Sequence, residues 1–113
     1  MNNLTPLQTV DELEAAIAES RHRPVLLFKH SRTCGISCEA LDELHAHLAE
    51  TQPLARYNLI TVQSHRPVSE AAAVKLGVRH ETPQAIVLRD GRAVWSASHF
   101  KITARELKRV LTS

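Results

Sequence analysis

Apolar residues along the chain follow two rhythms, and the changes between them mark the elements. Leu13, Ile17 and the alanines between them recur at the spacing of one helical face. Thr9-Val10-Asp11-Glu12 just before has the capping-box arrangement, a hydroxyl at the N-cap and a carboxylate three residues later. This predicts a helix ending near Ser20. Pro24 closes that stretch, and Val25-Leu26-Leu27-Phe28 is a short unbroken apolar run, the mark of a strand covered on both faces. After Cys34 the helical spacing returns in Ile36, Leu41, Leu44 and Leu48, with Glu39, Asp42, Glu43 and Glu50 on the other side. Pro53 interrupts, and Tyr57, Leu59 and Thr61 alternate within a second strand from Leu54 to Val62. Ser69 is the expected cap of a short helix through Leu76, closed by Gly77, a residue free to take the left-handed conformation that ends helices. Ala85 to Leu88 is a third strand, Asp90-Gly91 a hairpin signal, and Ala93 to Ser96 a fourth strand. Thr103 caps a last helix carrying Leu107, Val110 and Leu111.

The order helix, strand, helix, strand, helix, strand, strand, helix predicts an α/β fold. A four-stranded mixed sheet, mostly parallel with an antiparallel edge, should lie between helices on both faces. At 113 residues and 43% apolar content the chain can bury one small core, so residues 1–113 are expected to form a single domain. Internal repeats, low-complexity segments and linkers are not evident.

Charge removes some classes of function. Fourteen Lys and Arg stand against twelve Asp and Glu without a basic cluster, which gives nucleic acid no footing. The apolar runs are far shorter than a bilayer span, and Met1 to Pro6 lacks the basic start and apolar stretch of an export signal, so a cytoplasmic protein without a membrane partner is expected. In a reducing compartment the two cysteines, Cys34 and Cys38, are not a structural staple.

Cys34 falls in the turn between the first strand and the second helix. A helix start presents unpaired N–H groups and partial positive charge, which favours a thiolate, and Lys29, His30 and Arg32 nearby in sequence are expected to push the same way. Cys34 is therefore the candidate nucleophile. Its bland reading is a small apolar residue that happens to begin a helix. Cys34 with Cys38 could instead grip a soft ion such as Cu(I), with His30 as a third ligand. His45 and His47 do not complete such a site, because residues two apart on a helix point to different faces. On residue type alone Thr82-Pro83 reads as a trans bond before a strand.

Four blocks in one order resemble the YtxJ-type family, the monothiol bacilliredoxins: FKHSRTCGIS from Phe28, HRPVS from His65, GVRHETPQ from Gly77 and VWSASHFKIT from Val94. The resemblance implies a thioredoxin-like fold and removal of bacillithiol, a low-molecular-weight thiol, from protein mixed disulfides. Thr33, Cys34, Ile36 and Ser37 match the family's Thr-Cys-Pro-Ile-Ser motif, with Gly35 where the proline is expected and glycine loosening the first helical turn that proline would preset. It also reverses the reading of Pro83. In that fold a cis proline lies beside the nucleophile, and the residue before it, here Thr82, pairs its backbone with the substrate. Trp95 and His99 match a further block, and their bland reading is packing on the last helix and a histidine satisfied by backbone. No bound cofactor is implied. Bacillithiol is a co-substrate, and bacillithiolated client proteins, the small thiol itself and a reductase are the partners.

Three classes of function follow: a thiol-disulfide oxidoreductase working through Cys34, a copper- or zinc-binding thiol module, and a non-catalytic thioredoxin-like adaptor. Cys38 is not ordinarily found in the family, so its role rests on its own chemistry. Either it is a resolving thiol one helical turn from Cys34, or it is a core residue under the active-site helix, the reading that the burial preference of free cysteine favours.

Overall fold

A computed structural model describes residues 4–50 and 54–112, and Pro53 lies outside the described residues. The strands are β1 (Leu4–Pro6), β2 (Val25–His30), β3 (Arg56–Thr61), β4 (Gln84–Arg89) and β5 (Arg92–Ser98). The helices are α1 (Val10–Glu19), α2 (Gly35–Glu50), α3 (Arg66–Leu76) and α4 (Ala104–Thr112), with a short 3₁₀ turn at His99–Lys101.

The sheet has five strands, not four, in the order β1-β3-β2-β4-β5. The extra strand, β1, is three residues long and pairs parallel to β3 from Leu4 opposite Tyr57 to Pro6 opposite Leu59. So short a segment has no period to reveal it, and it is a strand only because β3 offers it an open edge. The expected mostly parallel sheet is also corrected. β2 and β3 pair parallel, but β4 runs antiparallel to β2 and to β5. The chain after α3 returns to the end of the sheet where β2 finishes, so β4 starts there, with Gln84 opposite Lys29, and runs back.

All six residues of β2 are buried, as its apolar run requires for a strand with helices on both sides. Leu26 and Phe28 face α2 and α4, packing with Leu44 and Leu107, while Val25 and Leu27 face α1 and α3, packing with Leu13 and Ala72. Each such large side chain contributes roughly 1.5 to 3 kcal/mol by burial.

Most of the local punctuation stands where the residues predict it. Thr9 and Glu12 form the capping box, Thr103 Oγ1 accepts from the Glu106 N–H, and Gly77 ends α3 with a φ of 64°. Asp90 and Gly91 both take positive φ in the β4–β5 turn. The start of α3 differs: its N-cap is His65, with proline in the first turn, and Ser69 is buried inside the helix. Pro67, pre-shaped for a first turn, was the better boundary signal than the serine. Among the described residues no helix is long and apolar enough to cross a membrane.

Candidate active site

β2 ends at His30, and a four-residue turn carries the chain into α2. The turn closes on a hydrogen bond from the Cys34 N–H to the Ser31 carbonyl at 3.3 Å, and the Cys34 carbonyl accepts the first helical bond, from the Cys38 N–H at 3.0 Å. Cys34 therefore occupies the N-cap of a 16-residue helix. Both cysteines are free; Cys34 is half-buried and Cys38 exposed. The core reading of Cys38 is thereby overturned. Its Sγ has a weak contact with the Arg32 carbonyl at 3.9 Å, so Cys38 lies against the outside of the turn that carries Cys34. The buried position of this helical turn belongs to Ser37 and Ala40.

Ser37, three residues after Cys34, is fully buried. Its Oγ accepts from the Ser31 N–H at 2.9 Å and pairs with His30 Nδ1 at 2.8 Å, tying the turn to the end of β2. A second tie is Gln63, which follows β3. Its Oε1 accepts from the Arg32 N–H at 3.0 Å, and its Nε2 donates to Ser31 Oγ at 2.9 Å and Thr33 Oγ1 at 3.0 Å. Ser37→Ala is expected to lower stability by about 1 to 3 kcal/mol, because the Ser31 N–H and His30 Nδ1 lose their buried partner. A fall in the urea midpoint at unchanged slope checks this, and an unchanged midpoint would refute it.

The charges beside Cys34 differ from the sequence expectation. Burial holds His30 below the ordinary imidazole range, with the charge of Arg32 acting the same way against the hydrogen bond to Ser37, so near neutral pH it adds no positive charge. Lys29 alternates with it along β2 and points through the opposite face of the sheet, to the Ser69 carbonyl at 3.0 Å. Arg32, exposed in the turn itself, is the cation left beside the thiol.

Thr82-Pro83 immediately precedes β4, and that peptide bond is cis. The β2–β4 register places Gln84 beside Lys29, so Pro83 stands next to the end of β2 from which the Cys34 turn departs. The Pro83 carbonyl is taken by the His99 N–H at 3.2 Å, whereas neither backbone group of Thr82 bonds another backbone group among the described residues. Ile36, just past Cys34, lines a groove of about 340 Å³ with Ala40, Phe100 and Ile102, rimmed by Glu39 and Glu43. Trp95 packs on the core from β5, and His99 is exposed, its backbone engaged at Pro83 and Ile102. His45 is exposed and His47 buried against the Tyr57 hydroxyl at 2.8 Å. Among the described residues no three His, Cys, Asp or Glu side chains are grouped to hold a metal ion, so Cys34, Cys38 and His30 do not form the soft-metal set.

The model of one protein family, monothiol bacilliredoxin BrxC, matches residues 5–107. The chain belongs to the monothiol bacilliredoxin family. Among solved structures, a thioredoxin-fold protein of proposed oxidoreductase activity is 32% identical, covering 97% of this chain and 94% of that one at a TM-score of 0.85. The thioredoxin of Fasciola hepatica is 22% identical over 96% of each chain at a TM-score of 0.73. A mutant thioredoxin of Halobacterium salinarum is 24% identical over 96% of this chain and 87% of its own at 0.71. The last two likenesses concern the fold alone. Family and fold together give this bacilliredoxin a thiol redox role.

Sequence reasoning named Cys34, Thr82 and Pro83, and the fold brings their segments to one end of the sheet. It missed Gln63 and the structural task of Ser37. For Gln63 no local signal existed, since its three bonds join segments about 30 residues apart. Ser37 was legible in part: its position three residues after Cys34 is on the buried side of an amphipathic helix, where a hydroxyl needs a partner.

Proposed function

We propose that the protein removes bacillithiol, or a similar low-molecular-weight thiol, from protein mixed disulfides through Cys34. The observation that carries this reading is a half-exposed free thiol at the N-cap of α2, with a buried hydrogen-bonded serine three residues on. A helix start favours negative charge, and the sulfur there is the nucleophile. The Cys34 thiolate attacks the bacillithiol sulfur of the modified client. A Cys34–bacillithiol disulfide forms, the client's disulfide breaks, and the client leaves as a thiolate that takes up a proton. Thr82 offers its unpaired backbone groups to the client as a short added strand. No resident cofactor is needed for this exchange, and bacillithiol is a co-substrate.

The reading is tested by incubating reduced protein with bacillithiol disulfide and recording its intact mass. A single adduct that dithiothreitol removes is expected. A reduced chain that gains neither the adduct nor a Cys34–Cys38 disulfide at neutral pH would sink the proposal.

The exposure of Cys38 favours its role as a resolving thiol. It would attack Cys34 Sγ in the adduct, release bacillithiol as a thiol and leave a Cys34–Cys38 disulfide, which a reductase or a dithiol then reduces. A bond between residues four apart at a helix start is not favoured by helical side-chain directions, so it would be readily reduced, as an intermediate requires. In the wild type the adduct is expected to decay to a species two hydrogens lighter than the reduced chain, and in Cys38→Ser to persist. Equal lifetimes would leave Cys34 working alone with a second small thiol.

A further inference from the structure

Lys29 is fully buried, yet no carboxylate lies within ion-pair distance of it among the described residues. Its Nζ donates to the Ser69 carbonyl at 3.0 Å and stands 3.1 Å from His80 Nδ1. Ser69 Oγ is 3.2 Å from the same Nδ1. On the other side of the ring, His80 Nε2 is 3.3 Å from Thr82 Oγ1. A continuous chain of polar atoms thus runs from the sheet interior to Thr82, the residue before the cis proline.

The donors and acceptors in this chain have one consistent direction. An ammonium has no lone pair, so Nδ1 must accept from Lys29, and the ring proton of a neutral His80 then sits on Nε2. Nε2–H donates to Thr82 Oγ1, and the Ser69 hydroxyl, 3.2 Å from Nδ1, can only share with Lys29 the one lone pair of that nitrogen. Partial desolvation of the ring on its Lys29 side, with the charges of Lys29 and Arg66 outweighing Glu70 and Glu81, lowers His80 below the ordinary imidazole range and favours its neutral form. Burial brings Lys29 down only to about 8, so at pH 7 it is still mainly the ammonium that this direction requires.

We propose, on the exchange reading above, that Lys29 and His80 are positioning residues for protein substrates: their directed hydrogen bonds hold Thr82 so that its free backbone groups meet an extended segment of the client polypeptide. A small disulfide has no such segment and does not use this contact. The chain therefore sets a preference for modified proteins over free small-thiol disulfides, without touching the sulfur that reacts.

The test compares wild type, His80→Leu, His80→Gln and Lys29→Met on two substrates, a bacillithiolated peptide and bacillithiol disulfide. His80 is exposed, so its variants should fold, which thermal melts check. His80→Leu is expected to lower kcat/KM for the peptide about tenfold, mainly through KM, and to change the small disulfide rate by less than about twofold, as for loss of one positioning hydrogen bond. His80→Gln, which keeps an acceptor and a donor, should recover most of the loss. Nitrogen NMR of the ring should show Nε2–H in the wild type at pH 7 and a mixture of tautomers in Lys29→Met. Equal losses on both substrates, no loss on the peptide, or an Nδ1–H ring in the wild type would overturn the proposal. If the wild type reacted with neither disulfide, the exchange reading would fail, and the ring tautomer would still decide whether the chain has this direction.

Discussion

Cys34→Ser is expected to abolish the bacillithiol adduct completely while leaving the fold intact. A serine hydroxyl stays protonated at neutral pH and does not attack a disulfide, whereas the thiolate does. Serine is itself a favoured N-cap residue, so the start of α2 should lose no stability and the melting curves of variant and wild type should coincide. The exposed Cys38 makes the result decisive. An adduct that survives in Cys34→Ser and disappears on further replacement of Cys38 would move the nucleophile by one helical turn and refute the assignment.

Lys29→Met should stabilise the protein at pH 7 by about 1 kcal/mol, because the desolvation cost of holding a charge inside the protein is removed. Burial lowers Lys29 from its ordinary 10.5 to about 8. At about 1.4 kcal/mol per unit, a change of this size places an upper limit on the order of 3 kcal/mol on the cost of holding the ammonium inside. Loss of its bonds to the Ser69 carbonyl and His80 offsets part of the gain. The pH dependence follows from the sign of the shift. Below about pH 8 both folded and unfolded chains carry the proton and the cost is present in full. Between about 8 and 10.5 the unfolded chain holds the proton and the folded chain does not, so wild-type stability rises with pH across that window. The advantage of the methionine variant should be largest at pH 7 and shrink toward pH 10, as read from urea unfolding at both values. A constant difference would show that Lys29 is not a buried ammonium. Greater stability with poorer handling of peptide substrates is the trade expected of a residue kept for function.

The sequence by itself determined the elements whose signals are local. Capping groups, periodic apolar faces and glycines needing positive φ act within one or two turns of chain, so Thr9, Gly77, Asp90-Gly91 and Thr103 stand where their chemistry predicts. The candidate site was legible in its placement: Cys34 at a strand-to-helix turn and Thr82-Pro83 before a strand stand where the motif and the resemblance put them. Tertiary structure alone decided the rest. β1 exists because β3 has a free edge, and β4 is reversed because the chain after α3 returns to the end of β2. Cys38 is exposed although free cysteine prefers the core, because Ser37 and Ala40 take the inward positions of the first turns of α2. Lys29, one residue from His30 in the chain, serves the opposite face of the sheet and reaches His80 more than 50 residues away. Alternation along a strand separates neighbours, and the loop between α3 and β4 brings together residues far apart in the chain.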